Sequence, residues 1–271
     1  MNITKRIETQ LVAGLKKFKP LIVNARAKDV NEADTVTLVR DMLAELFGYD
    51  RYTEVTGEYA INRTYCDLAI KIDARLMVLC EVKAIGLALK DTHTQQAVNY
   101  AANEGVPWVI LTNGQRWQVW FVSLAGKVQR ELVMDVDICA LEARRLADLE
   151  KLYPLTRGGV FTGALGALKQ ERRAMNRHAV GSALMRDGVL NAVRRELARL
   201  EPGVRINVGA LRSLLIAEVI KRDVIDADET AAFGKRYDAA DRRDERAKMN
   251  EVKKSTATDV VATSELLNPE A

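Results

Sequence analysis

The apolar segment at residues 76–89, LMVLCEVKAIGLAL, has the composition of a buried β-strand but contains Glu81 and Lys83. On a strand, residues two apart point to the same face, so the carboxylate and the ammonium should lie side by side. Charged groups are costly to bury unless other charges, a metal ion or hydrogen bonds compensate them. The segment therefore predicts a strand that brings two charges to one end of a buried sheet.

The residues before this strand complete a predicted β-hairpin, CDLAIKIDARLMVLCEVK. With a three-residue turn, Ile72 pairs with Leu76. The same register places Asp67 directly across from Glu81, with Cβ atoms about 5 Å apart. Two facing carboxylates repel each other unless they share a proton or bind a cation, and Mg²⁺ needs only one or two carboxylates besides water and phosphate oxygens. The alternative from the residues alone is a structural ion pair between Lys83 and either carboxylate.

Periodic patterns elsewhere predict a mixed sheet with helices packed on it. The Asn113-Gly114 pair lies between two apolar runs, which is the strongest short-range sign of a β-hairpin in the chain. We expect helices at 4–18, 35–47 and 91–104, and strands at 54–61, 66–72, 76–83, on both sides of Asn113-Gly114 and near 127–136. This order of elements is typical of an α/β or α+β domain.

The pattern changes near residue 150. Residues 162–200 and 209–222 have helical patterns, and Pro202-Gly203 predicts a turn between them. After Asp241 the chain is highly charged and then loses amphipathic periodicity, which predicts a disordered or loosely attached tail. The predicted divisions are an α/β domain at 1–150, a small basic helical region at 151–240 and the tail at 241–271.

Composition excludes several classes of protein. The 271 residues are 48% hydrophobic, which is ample for a packed core, and the net charge of +4 is compatible with a nucleic-acid partner. A charged N-terminus and the lack of long uncharged apolar runs predict a soluble protein with no membrane partner. Three cysteines without a CxxC pair indicate a reducing cytoplasmic location and argue against structural zinc.

The spacing of Asp67, Glu81 and Lys83 resembles the signature of the PD-(D/E)xK nuclease superfamily. More narrowly, the sequence from about Thr35 to Phe121 is similar to the N-terminal nuclease domain of type I restriction enzyme R subunits. The segments that carry this resemblance are LAELFGYD, CDLAI, CEVKAIG and QQAVNYAANEGVPWVILTNGQRW. The resemblance implies a restriction-endonuclease-like fold, in which helices flank a mixed β-sheet.

The resemblance also implies roles for individual residues. Asp67 and Glu81 correspond to ligands of Mg²⁺ or Mn²⁺, and Lys83 corresponds to the catalytic lysine. Glu45 matches the helical acidic residue that many members of the superfamily use as an outer metal ligand. The residue before Asp67 is Cys66, where the family has proline, and this change is tolerable because the position is not a ligand.

Further residues are candidates for contact with DNA. Gln96 and Tyr100 match a glutamine and a tyrosine four residues apart that follow the catalytic lysine in this family. The resemblance implies that they contact DNA or hold the site in shape. Between residues 165 and 200, basic side chains recur at helical spacing, which fits either a phosphate-binding surface or a solvated helical face. The basic residues that we expect to contact DNA are Lys169, Arg172 and Arg173.

The expected function is that of a Mg²⁺-dependent DNA endonuclease that hydrolyses phosphodiester bonds. The sequence contains no GxxxxGK[ST] loop, so we expect no ATP-driven motor such as full R subunits carry. A homodimer would suit a cut in both strands. The alternative is a non-catalytic module on the same fold that binds DNA or a restriction-modification partner, and activity on RNA or branched DNA is also open.

Overall fold

The computed structural model describes residues 3–61, 64–123 and 128–265. The chain forms two compact units, Met1–Gln170 and Glu171–Ala271. The first unit has the predicted mixed α/β architecture, and the C-terminal region is helical as expected. Within the described ranges, no helix is both long and apolar enough to cross a membrane.

The helices of the first unit are α1 (Lys5–Ala27), α2 (Glu32–Glu45), α3 (Asp91–Glu104), α4 (Leu146–Leu152) and α5 (Arg157–Phe161). Its strands are β1 (Val55–Ile61), β2 (Thr64–Ile72), β3 (Arg75–Val82), β4 (Trp108–Thr112), β5 (Arg116–Ser123) and β6 (Gln129–Asp137). Helix α6 (Ala164–Ala174) contains the division between the units. The helices that follow are α7 (Arg177–Leu184), α8 (Asp187–Leu200), α9 (Val208–Leu214), α10 (Arg222–Ile225) and α11 (Asp228–Glu265), with a π-helical turn at Leu215–Val219.

The six strands form one sheet in sequence order, β1 to β6. All neighbours are antiparallel except β3 and β4, which are parallel. A parallel pair needs a crossover connection, and α3 supplies it between these two strands. The predicted bounds of α3 are confirmed: it begins at Asp91 and ends where Gly105 adopts a φ of +68°.

Two apolar cores lie on the sheet. The first core joins α1 and α2 to the sheet, and its largest fully buried side chains include Phe18, Leu43, Phe47 and Trp117. The second core joins α3 to the sheet through residues such as Ala97, Ala101, Leu79 and Val109. Because both cores contain alternate residues of the central strands, those strands are buried on both faces. This explains the almost continuous apolar run at residues 76–82.

The β2–β3 hairpin differs from the prediction at its turn. The turn has two residues, Asp73 and Ala74, with φ of +50° and +62°, and Ile72 therefore pairs with Arg75 rather than with Leu76. Positive φ at both central residues is the conformation that fits the twist of a two-residue hairpin. The expected three-residue turn is wrong.

A β-bulge then restores the expected register. Lys71 pairs with Leu76 and Ile70 pairs with Val78, so Met77 is an extra residue on β3. From there to the last pair of the ladder, Leu68 with Cys80, the pairing is the predicted one. The shorter turn and the bulge each shift the register by one residue, in opposite directions. The predicted register is therefore restored before the strands reach Asp67 and Glu81.

The first unit extends to Gln170, beyond the expected boundary at 150. Arg157 Nε donates to both carboxylate oxygens of Glu54, at 2.7 and 2.9 Å, and Tyr49 OH donates to the carbonyl of Leu155 at 2.9 Å. Leu152, Leu155, Val160 and Leu165 also belong to the first core. Residues 151–165 therefore complete the α/β domain and do not begin a separate helical region.

The helical regions differ from the prediction in continuity. The segment 162–200 is divided among α6, α7 and α8, and the side chain of Asn176 caps the start of α7. The tail predicted at 241–271 continues α11 as far as Glu265, because alanine, arginine, lysine and glutamate in RRDERAKMNEVKK are strong helix formers. Residues 266–271 lie outside the described residues. Helix α1 also continues past the predicted end at 18, since Ile22 extends its buried face.

Candidate active site

Asp67, Glu81 and Lys83 lie at one end of the β2–β3 hairpin. Asp67 and Glu81 lie just beyond the last pair of the ladder, Leu68–Cys80, and they are close enough that the charge of Asp67 raises the pKa of Glu81. Lys83 Nζ donates a hydrogen bond to Glu81 Oε1 at 2.6 Å. Glu81 is 2% exposed and its Oε2 is buried without a hydrogen-bond partner in the described structure. The hairpin thus brings together the three residues that the sequence singled out.

The protonation of these groups reflects their burial. Loss of solvation, followed by the neighbouring charge of Asp67, raises the pKa of Glu81 from 4.5 to about 7. Burial also raises the pKa of Asp67, although a backbone hydrogen bond and Lys83 oppose the rise. For Lys83, burial acts to lower the pKa, but the hydrogen bond to Glu81 and nearby carboxylates raise it above its usual value. At neutral pH, Lys83 is therefore an ammonium beside a carboxylate that readily takes up a proton.

The backbone at Asp67 is held in an irregular conformation. Residues two apart on a regular strand share a face, yet Cys66 belongs to the second core and Leu68 belongs to the first. Glu58, which lies between the paired residues Gly57 and Tyr59 on β1, has a φ of +46°. The distortion lets Asp67 Oδ2 accept a 2.7 Å hydrogen bond from the backbone N–H of Val82. This bond fixes the carboxylate against β3, next to Glu81.

The acidic residue that α2 contributes is Glu32, not the predicted Glu45. Glu32 lies in the first turn of α2, with an oxygen 3.7 Å from Lys83 Nζ. Glu45 is at the other end of the helix, about 20 Å away at 1.5 Å per residue. It forms an ion pair with Lys17 of α1. The structure does not bring Glu45 to the site, because the N-terminus of α2, where Glu32 lies, is the end of the helix next to Lys83.

Sequence reasoning missed Glu32 because it placed the start of α2 at residue 35. The overlooked signal is Asn31, whose side chain accepts a hydrogen bond from the backbone N–H of Asp34. An asparagine followed by acidic residues in the first turn is a common helix start.

Two polar side chains form hydrogen bonds with the backbone of the segment that follows Lys83. Thr35 Oγ1 of α2 accepts a 3.1 Å hydrogen bond from the backbone N–H of Ile85. Asn113 Nδ2, in the predicted β4–β5 turn, donates to the carbonyls of Ile85 and Leu87 at 3.3 and 2.9 Å. Asn113 was predicted as a turn residue. Its hydrogen bonds to Ile85 and Leu87 were not predicted, because they join residues distant in sequence. Together these bonds hold the backbone beyond Lys83 in place.

Gln96 and Tyr100 lie on one face of α3, as their spacing predicts. Gln96 Nε2 donates to Tyr100 OH at 2.9 Å. Gln96 is exposed, whereas Tyr100 is buried and belongs to the second core. His93 accepts a hydrogen bond from the backbone N–H of Lys90, so its side chain takes part in the cap at the start of the helix.

The predicted basic residues are found on α6. Lys169, in the first unit, places Nζ 3.0 Å from the centre of the Phe121 ring. Arg172 and Arg173, in the second unit, are exposed. Of the tryptophans, Trp117 is fully buried in the first core, where Nε1 donates to the carbonyl of Gly114. Trp117 is therefore a packing residue of the first core.

The residues present fit a hard divalent cation. The buried Glu81 Oε2 lacks a partner, and the adjacent carboxylate of Asp67 raises the pKa of Glu81, so a positive charge there would satisfy one group and relieve repulsion between two. No group of three or more His, Cys, Asp or Glu side chains with metal-binding geometry occurs among the described residues. Mg²⁺ does not require three, since it retains several waters and binds phosphate oxygens.

Comparison with known proteins identifies one family that matches part of the chain. Residues 39–136 match the family model described as Type I restriction enzyme R protein N terminus (HSDR_N). No curated protein and no solved structure gave a match. The matched segment begins within α2 and ends within β6, so it contains the sheet, the crossover helix α3 and the hairpin with Asp67 and Glu81. Residues 39–136 of this chain are therefore similar to the N-terminal domain of type I restriction enzyme R proteins.

Proposed function

We propose that this protein is a Mg²⁺-dependent DNA endonuclease that hydrolyses phosphodiester bonds, with Mn²⁺ able to replace Mg²⁺. The family match supports a restriction-related, nuclease-like function for residues 39–136. The observation that carries the proposal is the buried, unpartnered Oε2 of Glu81 beside a second carboxylate, Asp67. A protein gains little from an arrangement of this kind unless a cation or a proton joins it.

Each residue of the site has a distinct part in the proposed reaction. Asp67 and Glu81 hold the cation, and Asp67 is kept in position by the N–H of Val82. The cation supplies electrophilic assistance at a phosphate oxygen and activates water. Lys83 is protonated at neutral pH, so it stabilises negative charge that develops on the phosphate and does not act as a base. Glu32 orients Lys83 from the N-terminus of α2.

Contacts with DNA complete the proposal. Gln96 is exposed on α3 and can donate to a phosphate or a base, while Tyr100 fixes the orientation of its amide. The exposed arginines Arg172 and Arg173 and the amino group of Lys169 are proposed to contact backbone phosphates, which would make the affinity for DNA depend on salt.

A specific observation favours the alternative of a non-catalytic module. Lys83 and Glu81 already form a buried ion pair at 2.6 Å, which could serve as a structural element at the end of the sheet. In that case the fold binds DNA or a restriction-modification partner without metal chemistry.

Calorimetry with Mg²⁺ separates the two functions without a choice of substrate. The wild type, Asp67→Ala and Glu45→Ala are compared, because Glu45 is an acidic residue of the same unit at the far end of α2. The nuclease proposal expects Mg²⁺ to bind to the wild type and to Glu45→Ala, and binding to be lost in Asp67→Ala.

The same three proteins are then incubated with Mg²⁺ and labelled double-stranded DNA, single-stranded DNA and RNA. We expect cleavage of double-stranded DNA that fails only in Asp67→Ala. Binding of DNA with no cleavage of any substrate, and no Mg²⁺ binding in the presence of DNA, would favour the module.

A further inference from the structure

A cavity of about 790 Å³ opens beside Asp67 in the first unit. One wall is a face of α2, with residues at helical spacing from Glu32 to Arg40, and the other wall comes from Gly57 and Glu58 of β1 and from Asp67. The cavity therefore leads directly to one of the two proposed metal ligands. A phosphodiester backbone that reaches the metal site would pass through it.

Arg40 brings positive charge into this otherwise acidic cavity. No carboxylate of the described residues lies within ion-pairing distance of its guanidinium, although other arginines of the first unit, such as Arg51 and Arg116, each have an aspartate partner. Its Nε is buried and has no hydrogen-bond partner in the described structure. A buried donor without an acceptor costs stability, so its presence calls for an explanation.

The position of Arg40 depends on a glycine across the cavity. A Cβ atom at Gly57 would lie 1.8 Å from Arg40 Nη2, so any side chain at that position would displace the guanidinium. The absence of a side chain at Gly57 thus leaves room for the guanidinium of Arg40 in the cavity that Glu58 and Asp67 also line.

We propose that Arg40 binds a backbone phosphate of DNA in this cavity, adjacent to the phosphate that is cut; the assignment of that neighbouring phosphate rests on the proposed function. A guanidinium offers a planar set of donors that matches phosphate oxygens, and such a contact is independent of base sequence. The bound phosphate supplies the anion that the described structure does not offer to Arg40. It also holds the strand so that the next phosphate faces Asp67.

The test measures binding to a fluorescein-labelled DNA duplex by anisotropy, in EDTA and over a series of KCl concentrations. Wild type, Arg40→Gln, Arg40→Lys and the control Arg51→Gln are compared as full-length chains. Arg51 is an arginine near the same helix that already pairs with Asp41. Loss of one phosphate contact lowers the slope of log affinity against log salt by about 0.9.

We expect Arg40→Gln to lower this slope by about 0.9 and to weaken binding at low salt. Arg40→Lys should keep the slope while binding less tightly, and Arg51→Gln should match the wild type. Gly57→Ala should resemble Arg40→Gln, because it displaces the guanidinium without removing it. A merely structural role for Arg40 would not change the slope, so a slope equal to that of the wild type in Arg40→Gln overturns the inference.

Cleavage of the same duplex in Mg²⁺ separates this inference from the proposed function. A wild type that binds DNA through Arg40 but cuts nothing contradicts the nuclease and leaves the phosphate contact standing. A wild type that cuts DNA while Arg40→Gln retains its full slope contradicts the contact and leaves the nuclease standing. A wild type that does not bind the duplex at low salt overturns the inference.

Discussion

Lys83 Nζ donates a 2.6 Å hydrogen bond to one carboxylate oxygen of Glu81 and leaves the other oxygen buried without a partner. The pair is therefore only half satisfied within the described protein. The ammonium of Lys83 balances the negative charge at one oxygen of Glu81. A cation or a proton bound to the second oxygen balances the charge there. Stability and metal binding should consequently respond together to changes at these residues.

Removal of Lys83 should destabilise the metal-free protein. Lys83→Ala leaves Asp67 and Glu81 adjacent with no nearby ammonium, and breaking one side of a buried ion pair costs roughly 3–5 kcal/mol. The cost should approach this range at pH 8 and be smaller at pH 6, where Glu81 can take up a proton. Thermal unfolding in EDTA at the two pH values measures the difference.

Added Mg²⁺ should partly restore the Tm of Lys83→Ala. The control is Lys17→Ala, which removes the exposed partner of Glu45 and should change stability by no more than about 1 kcal/mol at either pH. If the Tm of Lys83→Ala is the same with and without Mg²⁺, the carboxylates do not form a metal site.

The raised pKa of Glu81 predicts that metal-free stability falls as pH rises from about 4.5 to about 7. In this window the folded protein retains a proton that the unfolded chain has lost, so the free energy of unfolding decreases with increasing pH. Below this pH window Glu81 is protonated in both the folded and the unfolded state. Above the window the free energy of unfolding is reduced by the full amount. At about 1.4 kcal/mol per pKa unit, the loss is at most about 3.5 kcal/mol. The raised pKa of Asp67 acts in the same direction.

Urea unfolding in EDTA between pH 4 and 8 measures this dependence. Glu81→Gln cannot lose a proton, so its stability should vary less across the window than that of the wild type. Saturating Mg²⁺ should flatten the wild-type curve as well, because metal binding requires the deprotonated carboxylate. Equal pH profiles for the wild type and Glu81→Gln would show that Glu81 ionises in this window without an energetic penalty.

Local patterns predicted much of the fold. The α3 helix, its end at Gly105 and the Asn113-Gly114 hairpin were all predicted, because capping and turn residues act over a few positions. The register of the β2–β3 ladder next to Asp67 and Glu81 was predicted for an incomplete reason. The prediction used a regular hairpin with a longer turn, whereas the protein uses a shorter turn and a bulge at Met77. A bulge depends on packing against both cores, which no local pattern encodes.

The errors in the predicted site concern contacts between elements that are distant in sequence. Glu45 and Glu32 both lie on α2, and the choice between them depends on which end of the helix meets the sheet. The part played by residues 151–165 was missed for a similar reason. The ion pair of Arg157 with Glu54 joins segments that lie far apart in the chain. Periodicity identifies a buried face but not the element that covers it.

The two-residue turn of the β2–β3 hairpin offers a stabilising substitution. Ala74 has a φ of +62°, which is unfavourable for a residue with a Cβ atom and is readily adopted by glycine. Ala74→Gly creates an Asp-Gly turn and should raise the free energy of unfolding by roughly 0.5–1 kcal/mol. Ala60→Gly, on β1 with negative φ, should lower it by a similar amount. Chemical denaturation measures both, and a destabilised Ala74→Gly would mean that the turn is not of this type.

Removal of the Tyr100 hydroxyl alone distinguishes a functional role of this residue on α3 from a packing role. The hydroxyl accepts a hydrogen bond from the exposed amide of Gln96, and the ring below it is buried in the second core. Tyr100→Phe preserves the ring, so stability should change by no more than about 1 kcal/mol. If the hydroxyl holds Gln96 toward DNA, cleavage and affinity should nevertheless fall several-fold. Tyr59→Phe is the matched control, because Tyr59 packs on the same core and its hydroxyl bonds to Glu104 at 3.5 Å. Equal activity in the two variants would indicate that Gln96 and Tyr100 only complete the surface of the helix.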